Sequence, residues 1–366
     1  MKIRLLLMLS AVTVLSCGES TSSTSAAGHN VTLSNVALPK DTAGHDLITG
    51  EASVLAWNGA YYVYFNDWGS CPGVDCCPST GGCADCCFAP PSEQYPDSCV
   101  YAGGHTVVVY RTVDFRTWEP KGVALPVANR KAGVVFRPHV VYRASSNTFL
   151  MWYEDRWDGQ TGYAIAESPT PEGPFVTIAD SVTLHGAGRN GDFYVFVDDD
   201  GTAYHVRTGV NIEKLTPDFT AGTGDYSSLF LPFIEAPVLF KRETRYYLVA
   251  GADCCACAGG SNILVYAADH ALGPFTLQSD VGSNPSPFDP HVPDHYVTGA
   301  QGSEVIRVPG ADGALQFLWL GNQWVTASEP GHPRNHDLLY WSLLQFDADG
   351  RVQPLVRQDT VTLALR

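Results

Sequence analysis

Apolar residues along this chain gather in short runs of strand length, and the runs come in pairs across tight turns. The pattern recurs in EASVLAWNGAYYVYF (51–65), RPHVVYRASSNTFLMWY (137–153), GDFYVFVDDDGTAYHVR (191–207), EAPVLFKRETRYYLVAG (235–251) and GSEVIRVPGADGALQFLWLG (302–321). Each begins with an apolar strand and returns through a strand rich in aromatics. The NG and DDDG turns are hairpin signals, because Asn, Asp and Gly tolerate the left-handed backbone that such turns need. A further pair follows each unit: TVVVYRTVDFRTWEP, YAIAESPTPEGPFVTI, NIEKLTPDF, ILVYAADHALGPFTLQ and LYWSLLQFDADGRVQPL. No long amphipathic helix interrupts them. Four-stranded units recurring at intervals of roughly 40 to 90 residues predict an all-β, five-bladed β-propeller. A β-sandwich is the alternative, and it leaves the recurrence unexplained.

The propeller reading gives meaning to the polar residues that open the runs. The first strand of each blade lines a central channel, so its starting residue faces one mouth of that channel. Glu51, Arg137, Asp192, Glu235 and Gln301 all stand at or just before such a start. Five blades therefore predict a ring of polar side chains converging on one cavity. A carboxylate at the buried end of an apolar strand is costly unless it is paired or used.

Composition narrows the class. Hydrophobic residues make up 45% of 366 residues, enough for a sizeable core, while 35 Gly, 24 Pro and only 3 Met suit many short strands and turns. The formal net charge is −16 and no Lys/Arg run exists, which disfavours nucleic-acid partners. The expected state is a monomer.

The N-terminal stretch reads as an export signal over 1–17, with Lys2 and Arg4 preceding an apolar run from Leu5 to Leu15. The run ends in VLSCG and is similar to the lipobox of bacterial lipoproteins, which would put a lipid anchor on Cys17. An ordinary cleaved signal is the alternative. ESTSSTSAAG follows, so 18–28 is expected to be a Ser/Thr-rich linker and 29–366 the propeller. The predicted location is outside the cytoplasm: extracellular, periplasmic or at the cell surface, with membrane contact only through Cys17.

Ten cysteines remain. Seven (Cys71, Cys76, Cys77, Cys83, Cys86, Cys87, Cys99) lie in an insertion of blade 1 at about 69–100, and three (Cys254, Cys255, Cys257) in DCCAC. Both counts are odd, so complete pairing needs at least one bridge between the groups. Export favours disulfides; Cys83 and Cys86 have C-x-x-C spacing, but no matching second pair supports zinc.

Several motifs, taken in order, resemble glycoside hydrolase family 43 and within it the exo-β-1,3-galactanase-like branch. They are DTAGHDLITGEASVL (41–55), YRTVDFRTWEPKG (110–122), RPHVVY, GDFYVFVDDDGTAY and EAPVLF, and the match spans about Asp41 to Leu355 apart from the insertion. The resemblance implies an exported hydrolase that cleaves terminal β-galactosidic linkages of a polysaccharide with inversion. In such a reaction an acid protonates the leaving oxygen and a base activates water on the other sugar face, the two standing roughly 6.5 to 9.5 Å apart. It implies Glu235 as the acid and Asp192 as the residue that tunes it and orients the sugar. The base is either Gln301, by the branch's assignment, or Glu51, which replaces a glycine of the branch pattern. GEAS at 50–53 is similar to IEAP at 234–237 and suggests that Glu51 shares the orientation of Glu235.

Other positions depart from the branch. Gly50 stands for a histidine, Phe136 for a glutamate, His139 for a lysine, and DCCACAGG for a Trp-containing loop. Arg137 and His139 are expected to contact the sugar, and Trp68, Trp157 and Trp324 follow strand ends where an indole can stack on it. His291, His295, His332 and His336 lie in Pro/Gly-rich loops without the helical spacing of a metal site. No cofactor is required, although some relatives hold a channel calcium, and His336 is the candidate neighbour for one. The competing function is a catalytically inactive propeller that binds glycans; a lyase or sulfatase-like partner has no signature here.

Overall fold

A computed structural model describes residues 28–68, 105–131, 133–157, 160–231, 233–252, 259–283, 296–324, 326 and 335–366, without the side chains of 156, 157 and 160. The export signal, nearly all of the linker, the insertion, every cysteine, and His291, His295 and His332 lie outside the described residues. So does the side chain of Trp157.

The strands form five blades around a channel. Blade 1 is β2 (Gly50–Trp57), β3 (Ala60–Asp67), β4 (Thr106–Thr112) and β5 (Glu119–Leu125). Blade 2 is β6 (Val134–Arg143), β7 (Thr148–Trp157), β8 (Gln160–Ser168) and β9 (Val176–Ala179). Blade 3 is β10 (Phe193–Val197), β11 (Ala203–Arg207), β12 (Asn211–Leu215) and β13 (Gly222–Ser228). Blade 4 is β14 (Ile234–Arg242), β15 (Arg245–Ala252), β16 (Leu264–Ala268) and β17 (Thr276–Asp280). Blade 5 has three strands, β18 (Gln301–Pro309), β19 (Leu315–Gln323) and β20 (Leu338–Leu343). All pairings within blades are antiparallel, and the innermost strands β2, β6, β10, β14 and β18 contact one another in a ring.

The expected fourth strand of blade 5 is absent among the described residues. FDADGRV instead folds into a turn, with Gly350 N–H donating to Asp347 O at 3.0 Å and an isolated bridge between Phe346 and Val352. Beside β20 lies a two-stranded ribbon of β1 (His29–Ser34) and β21 (Thr360–Leu365), the two ends of the described chain. Asn35 joins ribbon to blade: its Nδ2 donates to Trp341 O at 3.0 Å and its Oδ1 accepts from Trp341 N–H at 2.7 Å.

Among the described residues, apolar clusters fill the spaces between successive blades, and strand periodicity explains them. Alternate residues of a strand face opposite sides. On β3, Tyr61, Val63 and Phe65 turn toward blade 5 and the ribbon, whereas Tyr62 and Tyr64 turn toward blade 2. Both faces are buried, which is why the middle strands read as continuous apolar runs. Val31, Leu33, Val361 and Leu363 of the ribbon pack with Ile306, Leu318 and Trp341 of blade 5 and with Val63 and Trp118 of blade 1. The ribbon thus closes the ring at the seam where first and last blades meet.

Candidate active site

The inner strands are irregular where they enter the channel. Pairing shifts between Gly50 and Ser53 on β2, between Phe136 and His139 on β6, between Glu235 and Val238 on β14, and between Gly302 and Glu304 on β18. Each is a bulge, two residues facing one, which bends the strand and re-aims side chains. At three of the bulges a residue other than glycine takes the left-handed backbone: Glu51 (φ 42°), Arg137 (φ 51°) and Ala236 (φ 51°). Such conformations are uncommon for residues with a Cβ and concentrate at functional sites.

The bulges also correct one expectation. By register, Glu51 corresponds to Arg137 and Ala236, while Glu235 corresponds to Phe136 and Gly50. The likeness of GEAS to IEAP is therefore offset by one residue, and Glu51 leaves its strand in a different direction from Glu235.

Hydrogen bonds tie the five strand starts together. The backbone N–H of Arg137 donates to Glu51 Oε2 at 2.9 Å, and Asn66 Nδ2 donates to the same oxygen at 2.9 Å. The Arg137 guanidinium sends Nη2 to Asp192 Oδ2 at 2.7 Å and Nη1 to Gly302 O at 3.0 Å. Asp192 Oδ2 also accepts from the Ala236 N–H at 3.1 Å. Gln301 Nε2 donates to Glu235 Oε1 at 2.6 Å, and Trp324 Nε1 donates to Gln301 Oε1 at 2.8 Å. Burial works against the charge of Arg137, but Asp192, Glu51 and Glu235 more than offset it and raise the guanidinium pKa above its usual value. One buried cation thus sits among three carboxyl groups.

The orientation of Gln301 is chemically determined. An indole N–H only donates, so the amide oxygen must face Trp324 and the amide nitrogen must face Glu235. Gln301 is 4% exposed and Trp324 likewise 4%.

Deeper in the channel is a residue that the motif reading passed over. Glu304 is buried, with Oε1 accepting from Tyr194 Oη at 2.7 Å and from its neighbour Val305 N–H at 3.1 Å. Its Oε2 accepts from Val54 N–H at 3.2 Å. Burial pushes its carboxyl up to about 7 despite these donors. Its signal was present in GAQGSEV, as a charge inside an apolar inner strand.

The remaining expected contacts are placed differently. His139 is buried beside Tyr194, its Nε2 2.9 Å from Val195 O, and burial lowers its pKa to about 4. The neutral ring donates to that carbonyl and joins blade 2 to blade 3. Trp68 is 1% exposed and packs against His105 and Phe136. Trp324 spends its N–H on Gln301. Neither indole presents an open face for stacking. His336 lies in the turn before β20, and among the described residues no group of three or more His, Cys, Asp or Glu is arranged to hold a metal ion. No step is assigned to a metal ion.

No family model matches the sequence, and no curated protein matches it. Solved structures do. A glycoside hydrolase family 43 β-1,3-galactosidase solved with galactodeoxynojirimycin is 20% identical, at a TM-score of 0.65 over 89% of this chain and 99% of that one. The propeller fold is shared. An exo-β-1,3-galactanase from Clostridium thermocellum is 21% identical, with a TM-score of 0.64 over 92% of this chain and 68% of that one. The exo-β-1,3-galactanase of Phanerochaete chrysosporium, solved as a glutamate-to-glutamine variant with β-1,3-galactotriose, is 19% identical, with a TM-score of 0.67 over 90% and 67%. At these identities the likeness establishes architecture, and function rests on the residues of the channel mouth.

Proposed function

We propose that this protein is an exported glycoside hydrolase that releases terminal β-linked galactose, or a closely related sugar, from a polysaccharide with inversion. The observation that carries the reading is the convergence of Glu235, Asp192 and Glu51 on Arg137 at the mouth of a five-bladed channel. The galactan-active proteins that share the fold favour the same sugar class.

In this mechanism Glu235 is the general acid. Gln301 holds one oxygen of its carboxyl, and the acid's proton is delivered to the glycosidic oxygen as the bond to the anomeric carbon breaks. Asp192, held by Arg137 and the Ala236 N–H, orients sugar hydroxyls and stabilises the cationic character that develops on the ring. The base removes a proton from the water that attacks the opposite face. Glu51 is the better candidate for that step. A basic Gln301 needs its imidic form, and its side-chain nitrogen already lies 2.6 Å from Glu235 rather than across the sugar from it. Water adds to the anomeric carbon, the leaving sugar departs with the acid's proton, and exchange with solvent resets both carboxyls.

One observation favours the alternative of a glycan-binding propeller. Glu51 Oε2 already accepts two hydrogen bonds, which weakens it as a base. Hydrolysis of a panel of galactans, arabinans, xylans and aryl glycosides separates the two, with product anomers followed by NMR. The expected result is inverted product from a galactoside and a loss of about 10³-fold or more in kcat for Glu235→Gln. Absence of turnover on every sugar, with binding unchanged by the substitution, would favour the binding protein.

A further inference from the structure

The described aromatic side chains are mostly buried between blades, and the exceptions fall in one place. Tyr226, Phe230 and Phe233 are 47%, 71% and 73% exposed, and they are the only aromatics among the exposed large hydrophobic residues described. All three belong to an eight-residue stretch that ends two residues before Glu235. The other exposed apolar side chains are aliphatic and scattered over the blades. Single exposed apolar residues are ordinary, whereas exposed aromatics gathered in the stretch that leads into a site point to a binding surface.

The strip is built rather than left loose. It spans the crossing from the outer strand of blade 3, β13, to the inner strand of blade 4, β14. Within LFLPFI, Leu229, Leu231 and Ile234 pack on the core between these blades, which leaves Phe230 and Phe233 outside. The backbone is tied down by Leu229 N–H to Val210 O (3.0 Å), Leu231 N–H to Gly209 O (3.1 Å) and Gly209 N–H to Ile234 O (2.8 Å). Phe230 itself takes a left-handed backbone, φ 53°, unfavourable for a bulky side chain. A strained, anchored loop that displays two phenyl rings to water has a use for them.

From this arrangement we infer that Phe233 and Phe230 form an aromatic platform for the part of the polysaccharide on the leaving side of the bond that Glu235 protonates. The inference rests on the glycosidase reading for its direction. Phe233 directly precedes β14 and stands two residues before Glu235, so a sugar chain held at Glu235 extends over it on the leaving side. The terminal sugar lies inward, among Arg137, Asp192 and Gln301, and the remaining units lie over the phenyl rings. A pyranose presents one face of C–H groups, which packs on an aromatic ring. Phenylalanine offers no hydrogen-bonding group, so the platform grips successive neutral units by their faces and leaves sugar identity to the polar inner site.

Two measurements test this. The first compares wild type, Phe233→Ala and Phe230→Ala/Phe233→Ala on β-1,3-galactan and on β-galactosyl fluoride, which has no leaving sugar. Roughly tenfold higher KM on the polymer is expected for the single variant, and more for the double, with fluoride hydrolysis unchanged. Equal losses on both substrates, or an unchanged polymer KM, overturn the platform. The second titrates β-1,3-galactooligosaccharides, from the disaccharide to the hexasaccharide, into Glu235→Gln protein with and without both phenylalanines. Affinity is expected to grow with chain length only when the phenylalanines are present. If wild type cleaves nothing yet this length dependence appears and vanishes with the rings, hydrolysis fails as a reading and the platform stands. Length dependence that survives the double substitution sinks the platform regardless of activity.

Discussion

The channel holds two groups of carboxyls, one part-buried and one fully buried, that meet the loss of water differently. At its mouth Glu51, Asp192 and Glu235 lie around one guanidinium, whose ion pair with Asp192 helps to offset its own loss of hydration. Deeper in, Glu304 has only neutral partners, the Tyr194 hydroxyl and the amides of Val54 and Val305, and its carboxyl is raised to about 7. Neutral donors do not replace water around a carboxylate as a nearby cation does. The comparison teaches that burial and the charge of the available partner together set a channel carboxyl's chemistry. Charge is concentrated at the mouth, and Glu304 approaches neutrality where the inner strands pack on one another.

Removing the cation attacks the contrast most directly. Arg137→Met leaves Asp192, Glu51 and Glu235 crowded without compensation, and is expected to destabilise the fold by about 3–5 kcal/mol in urea titrations at neutral pH. Arg137→Lys keeps the charge but not the simultaneous reach to Asp192 and Gly302 O, so an intermediate loss is expected. A change within error for Arg137→Met would mean that the carboxylates are solvated and the mouth is not an ion-paired cluster.

Glu304 gives the next effect, and its sign is opposite to that of a salt-bridged acid. Its folded-state carboxyl is raised from 4.5 to about 7, so the folded protein holds this proton more tightly than the unfolded chain. The associated stability is present below pH 4.5 and is lost as pH rises through 7. Relative to Glu304→Gln, wild type is expected to lose on the order of 3 kcal/mol between acid and mildly alkaline pH. Urea midpoints of both proteins across that range check it, and a pH-independent difference would show that Glu304 keeps one charge state throughout.

The smallest expected effect sharpens the assignment of roles at the mouth. Trp324→Phe removes the donor that sets the Gln301 amide, and kcat is expected to fall about tenfold, the worth of one buried hydrogen bond. Azide separates base from positioning residue. Glu51→Ala is expected to form the inverted glycosyl azide, whereas Gln301→Ala is not. Azide rescue of Gln301→Ala alone would assign the base to Gln301.

Much of this was legible in one dimension. Paired apolar runs with turn residues between them specify hairpins, and their recurrence specifies blades, because alternation and turn chemistry are local properties. The polar residues that open the runs, Glu51, Arg137, Asp192, Glu235 and Gln301, are those joined at the channel mouth, since a blade's first strand has only one place to be. The failures also have a physical cause. Residue type and position suggest sugar contacts for Trp68, Trp324 and His139, yet an aromatic at a strand end packs inward as readily as outward. The bulges displace Glu51 from the register of Glu235, and a one-residue shift redirects a side chain without changing the apolar pattern.

Sequence by itself thus determined the number of blades, the inner strands and the identity of the polar residues at their mouths, because each depends on periodicity within a few residues. Tertiary structure alone decided that β1 and β21 would close the ring beside a three-stranded fifth blade, and that one arginine would hold carboxylates from separate blades. It also decided that Phe230 and Phe233 would face solvent while the leucines between and before them face the core. Those outcomes depend on contacts between residues far apart in the chain, whose partners no local pattern specifies.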